Sequence, residues 1–112
     1  MSKHVKPPRI TEKQFMRSVT EMASALGWRF HHEANSFGSK PGFPDLALFH
    51  PDHGALYLEL KTGNYGLTGP QQEWIDWLTH CRQIAYVVRP DDMDVIEAML
   101  RGNMIFREDV PA

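Results

Sequence analysis

Cysteine is almost missing from this sequence: Cys81 is the only one in 112 residues. That excludes an intrachain disulfide and a cysteine-rich zinc site, and with them the disulfide scaffolds of exported proteins. Long hydrophobic runs are missing too. Nothing approaches the roughly 18 apolar residues of a membrane span, and no apolar segment follows the positive charges of Met1-Ser2-Lys3-His4-Val5-Lys6. The expectation is a cytoplasmic protein with no membrane partner. An excess of positive charge is also lacking, since 12 basic and 14 acidic residues leave a net charge of −2. Nucleic acid is therefore not held by bulk charge alone. The six histidines show no HExxH pair, which disfavours a zinc enzyme.

With 42% hydrophobic and 23% charged residues the chain has the composition of a folded domain. Its length suits one compact unit spanning 1–112, with 1–10 as a basic arm and 103–112 as a tail. The charge is unevenly placed. Lys3, Lys6, Arg9, Lys13 and Arg17 crowd the first seventeen residues against one acid, Glu12. Lys6, Arg9 and Lys13, with Lys40 further on, are candidate phosphate contacts; the alternative is a solvated tail.

Thr11-Glu12-Lys13-Gln14 matches a capping box. Phe15, Val19, Met22 and Leu26 then recur at helical spacing until Gly27. Residues 28–34 read as a strand, and 35–43 as a loop in which Gly38 and Gly42 suggest mobility. Strands are expected over 44–49 and 55–61, joined by His50-Pro51-Asp52-His53-Gly54 as a hairpin. A Gly-rich loop over 62–69 leads to a second capping box, Thr68-Gly69-Pro70-Gln71, and a helix with Trp74, Ile75 and Leu78 on one face. A strand over 83–88 and a helix over 91–101 follow. The order αβββαβα predicts an α/β fold, a mixed sheet flanked by helices.

The hairpin carries the chemistry. Leu56, Leu58 and Leu60 alternate with Tyr57, Glu59 and Lys61, and Leu46 and Leu48 alternate with Asp45, Ala47 and Phe49. Matching the leucine faces puts Asp45 on the side of Glu59. In the most compact register the two are directly opposite, with Cβ atoms about 4.5–5.5 Å apart. Facing like charges destabilise a sheet, so compensation is expected. A hard divalent cation, Mg²⁺ or Mn²⁺, supplies it, with Lys61 near enough to steady a hydroxide or a phosphate oxygen. The alternative is an exposed sheet face on which Lys61 only pairs with an acid. His31 and His32 alternate, so one of them can point toward the site.

Pro44-Asp45 followed by Glu59-Leu60-Lys61 resembles the PD-(D/E)XK nuclease pattern. The wider set Gly42-Phe43-Pro44-Asp45-Leu46, Tyr57-Leu58-Glu59-Leu60-Lys61 and Leu67-Thr68-Gly69-Pro70-Gln71, with Trp74 downstream, is similar to the VRR-NUC family across most of the chain. The resemblance implies a restriction-endonuclease-like core, dependence on a divalent metal, and DNA, often branched, as substrate. It also implies that Glu12, at the mouth of the first helix, joins Asp45, Glu59 and the Leu60 carbonyl as metal ligands; helix-dipole stabilisation is the plain alternative for Glu12. Gln71 is a candidate to orient the attacking water or a phosphate, or else a capping residue alone. The rival function is a non-catalytic nucleic-acid-binding or assembly module that keeps the fold. Trp77, Tyr86, Met93, Ile96, Met99 and Met104 suggest more apolar material than one small core can bury. Together with the resemblance to stand-alone VRR-NUC nucleases, which implies a four-way junction or flap as substrate, that surplus leads to the expectation of a two-fold homodimer. The alternative is that these residues all pack internally.

Overall fold

The computed structural model describes residues 9–33 and 41–103. Lys6 of the basic arm, Lys40, Gly38 and Met104 with the tail beyond it lie outside the described residues. The elements run α1 (Glu12–Ala25), β1 (Arg29–His32), β2 (Leu46–His50), β3 (Gly54–Leu60), α2 (Gly69–His80), β4 (Ile84–Val88), a 3-10 turn (Pro90–Asp92) and α3 (Met93–Leu100). This is the expected αβββαβα order with one added turn. The turn shortens the last helix, because Pro90 has no N–H to donate and the Arg89 N–H is taken by Asp92 Oδ2 at 2.8 Å.

Both capping boxes form. The Thr11 and Thr68 side chains accept from the N–H of Gln14 and Gln71, and each glutamine amide accepts from its threonine N–H in return. Where the chain leaves α1, Trp28 turns inward and is buried. Its indole Nε1 donates to the Leu100 carbonyl at 2.8 Å, tying the end of α3 to the end of α1.

The sheet order is β1-β2-β3-β4, antiparallel except for the parallel β3–β4 pair, between which α2 forms the crossover. Pleat alternation sorts the side chains. Leu46, Leu48, Leu56, Leu58, Leu60 and Val88 form one buried face against Phe15, Val19 and Ala23 of α1 and Ile96 and Leu100 of α3. Each fully buried leucine contributes roughly 1.5–3 kcal/mol relative to exposure. The other face carries Ala47, Phe49, Tyr57 and Glu59, with α2 laid beside it; Phe43 makes edge contacts with both Tyr57 and Trp74.

One expectation needs correction. Ile96 and Met99 are not spare apolar surface, because they are buried in this core, and Met93 and Tyr86 pack against it. A two-turn helix seated on a leucine sheet uses nearly all its apolar residues internally. Of the described residues in that group, Trp77 alone is exposed.

Candidate active site

The open ends of β2 and β3 meet the N-terminus of α2 beside Asp45. Pro44 precedes it, buried and with no N–H to donate to a neighbouring strand. The Asp45 carbonyl accepts from the Glu33 N–H at 2.8 Å, while its Oδ2 accepts from the Leu60 N–H at 2.8 Å. The side chain thus takes an acceptor position that a strand carbonyl would otherwise fill, which fixes its orientation. Carrying the register Leu46↔Leu58 one residue outward sets Asp45 opposite Glu59, as the leucine parity predicts.

Glu59 is 3% exposed, the one buried charged residue in the described core. Its Oε2 accepts from Gln71 Nε2 at 3.1 Å and lies 3.9 Å from Lys61 Nζ. Burial, and then the neighbouring Asp45 charge, push the Glu59 carboxyl up from 4.5 to about 8; Lys61 opposes the shift. A carboxyl whose ionisation is this strongly disfavoured is a common property of functional sites.

Gln71 closes the capping box and also reaches the site. Its amide oxygen accepts from the Thr68 N–H at 2.9 Å, closing the capping box, and its amide nitrogen reaches Glu59. A primary amide has two different ends, so capping and site contact coexist. Replacing Gln71 by Glu keeps the capping acceptor but sets a carboxylate against Glu59. We expect apo stability at pH 8 to fall by about 1–2 kcal/mol in urea unfolding; an unchanged midpoint would mean that the contact is not made in solution.

The other candidates separate by position. Glu12 is exposed in the first turn of α1. Among the described residues no three Asp, Glu, His or Cys side chains come together as a group able to hold a metal ion, so Glu12 is not brought to the Asp45–Glu59 pair. The stripe that Phe15 begins is buried, but one turn earlier the helix mouth is open to solvent. Arg9 and Lys13 are exposed. Of the two histidines, His31 pairs with Ala47 and so shares the site's face, where its Nε2 lies 3.4 Å from Glu33 Oε2. Arg89 carries no sequence signal, but it binds the loop between Lys61 and α2, donating to the Gly63 carbonyl at 3.0 Å and the Tyr65 carbonyl at 2.8 Å.

A four-stranded mixed sheet with helices on both faces, and with two acids and a lysine gathered at its strand ends, is an α/β domain of the restriction-endonuclease-like class. The chain is similar to a solved structure titled "VRR_NUC domain protein", with a TM-score of 0.66 and 24% identity over 82% of this chain and 91% of that one. Identity at that level shows the shared fold. No family profile and no curated protein matches the chain. No helix among the described residues is long and apolar enough to cross a membrane.

Proposed function

We propose that this chain is a VRR-NUC nuclease that hydrolyses DNA phosphodiester bonds with Mg²⁺ or Mn²⁺, acting on branched substrates. The carrying observation is Glu59, buried and protonated to about pH 8, beside Asp45, Lys61 and Gln71. Two carboxylates with the Leu60 carbonyl form a hard oxygen donor set that fits Mg²⁺, an ion that keeps several of its waters when protein bound. Bound there, the cation would lower the pKa of a water and offset charge on the phosphate.

The chain's own residues do the rest. Asp45 is oriented by the Leu60 N–H and presents its carboxylate at the strand end. Glu59 gives up its proton to act as a ligand, helped by the Gln71 amide and the Lys61 ammonium. Lys61 then stands where it can steady the attacking hydroxide or a phosphate oxygen, and Gln71 can hold the water. Attack of that oxygen on phosphorus breaks one P–O ester bond and leaves a phosphate monoester and a hydroxyl. Exposed Arg9 and Lys13, together with Lys6 and Lys40, would contact phosphates. In this reading the working unit is a two-fold dimer that doubles the basic arms, with exposed Trp77 as its apolar anchor. Cytoplasmic location fits an intracellular DNA substrate.

The test is cleavage of labelled single-stranded, duplex, flap and four-way-junction DNA. Mg²⁺ and Mn²⁺ should support cutting, and Ca²⁺ should support it poorly because its coordination is longer and looser. Asp45→Ala and Lys61→Ala should each reduce cutting by about two to three orders of magnitude. Binding of DNA with no metal-dependent cutting would instead favour the non-catalytic module, as would cutting that survives in both variants.

A further inference from the structure

The loop over 62–67 is held from three sides. At its start, the Lys61 N–H donates to the Val88 carbonyl at 3.0 Å and the Lys61 ammonium lies by Glu59. At its end, Thr68 and Gln71 close the capping box, and Gln71 touches the same Glu59 oxygen. Both ends therefore start beside one carboxylate, so the loop flanks that site. Its middle is held by Arg89, whose two terminal nitrogens bond the Gly63 and Tyr65 carbonyls. A rigid guanidinium fork spanning two carbonyls presets loop shape better than a single contact does.

Tyr65, at the centre of this loop, is 78% exposed, the most exposed large hydrophobic residue described. At Gly63, whose φ is +70°, an added Cβ would sit 3.6 Å from the Tyr65 ring, so the ring rests alongside this glycine and the rest of it meets solvent. A single exposed aromatic is ordinary on a surface. An exposed aromatic on a backbone clamped by an arginine, in a loop whose two ends flank the buried Glu59, is a preorganised stacking platform.

We propose that Tyr65 is a nucleobase-stacking residue that receives an unpaired base of the substrate at the rim of the Asp45–Glu59 site, and that Arg89 is the positioning residue that presents it. The proposal rests on the nuclease reading and deepens it. A base inside continuous duplex is already stacked on its neighbours and has no face to offer, whereas a base at a flap or junction has one. Tyr65 would thus supply part of the preference for branched DNA.

The probe is flap DNA carrying 2-aminopurine in the unpaired strand beside the branch. It is bound by wild type, Tyr65→Phe, Tyr65→Ala and Arg89→Lys in Ca²⁺ and in EDTA, and cut by the same proteins in Mg²⁺. Binding to wild type and Tyr65→Phe should quench the 2-aminopurine. Tyr65→Ala should lose the quench and bind about 5- to 100-fold more weakly, the range expected for one stacked base. Its flap-to-duplex cleavage ratio at sub-saturating protein should fall toward one. Its melting temperature should not move, because the ring is exposed. Arg89→Lys should lose binding in the same direction. Wild-type cutting with Tyr65→Ala binding the probe as well as wild type overturns this proposal alone, as does a Tyr65→Phe variant as weak as Tyr65→Ala. A wild type that neither binds nor cuts any DNA overturns the nuclease reading and this one with it.

Discussion

Glu59→Gln is expected to stabilise the metal-free protein at pH 8 while reducing cleavage by about two to three orders of magnitude. The stability gain follows from where the proton sits. In the unfolded chain this carboxyl ionises near its ordinary 4.5, but in the folded protein it keeps its proton to about 8. Between those values the folded state binds more protons than the unfolded one, so stability falls as pH rises through the window. Below 4.5 the carboxyl is neutral in both states and nothing is lost. Above 8 it is ionised in both, and the full penalty is present, on the order of a few kcal/mol. Glutamine is nearly isosteric and never ionises. Wild type minus variant should therefore show little difference in melting temperature at pH 4 and roughly 5–15 °C at pH 8. Taking the difference removes the titrating groups that do not interact with Glu59. Magnesium should reverse the pattern, raising the wild-type melting temperature more at pH 8 than at pH 5 and leaving the variant unmoved. Parallel pH profiles for the two proteins would sink the assignment of Glu59 as a buried, charge-penalised ligand.

Gly42→Ala is expected to lower stability by about 2–4 kcal/mol and to impair the site with it. Gly42 has φ +102°, and a Cβ there would lie 2.5 Å from the Pro70 carbonyl carbon, 2.6 Å from its oxygen and 2.8 Å from the Gln71 nitrogen. These are backbone atoms of the first turn of α2, so no side-chain rotation relieves the clash. Either the segment leading to Asp45 moves away or α2 does, and Gln71 goes with it. Gly54→Ala is the control, with φ +82° but nothing within 4 Å of the added carbon. It should lose only the backbone term, about 1 kcal/mol. Thermal melts of the two variants decide the matter: a Gly54 variant as unstable as the Gly42 variant would mean that the close approach to α2 contributes nothing.

Gly42 also shows where reading residues in order stops. In the sequence it belongs to a Gly, Ser and Pro stretch that suggests mobility. In the fold it is pressed against the start of a helix nearly thirty positions later, and glycine serves there for its missing side chain. Glu12 shows the limit from the other side: helical periodicity aims it along the core-facing stripe, yet it is exposed and the first fully buried residue of that stripe is Phe15. Periodicity gives an angle around the helix axis and says nothing of where along the axis the covering sheet begins.

The features that the sequence by itself determined are local in range. Period-two alternation in two neighbouring strands sets the parity that puts Asp45 with Glu59, because a slip by one residue would turn every leucine outward. Two threonines with glutamine three places on set both helix starts, because the capping box closes within one turn. The tertiary structure alone decided that Gln71 spends its second amide end on Glu59, that Arg89 clamps the loop after Lys61, and that Ile96 and Met99 are core rather than interface. The first two depend on how the crossover through α2 seats β4 beside β3, bringing together residues 12 to 28 positions apart, and the third on the packing of α3 against α1. Hydrogen bonds and burial of that kind are fixed by distance in space, and no spacing along the chain encodes it.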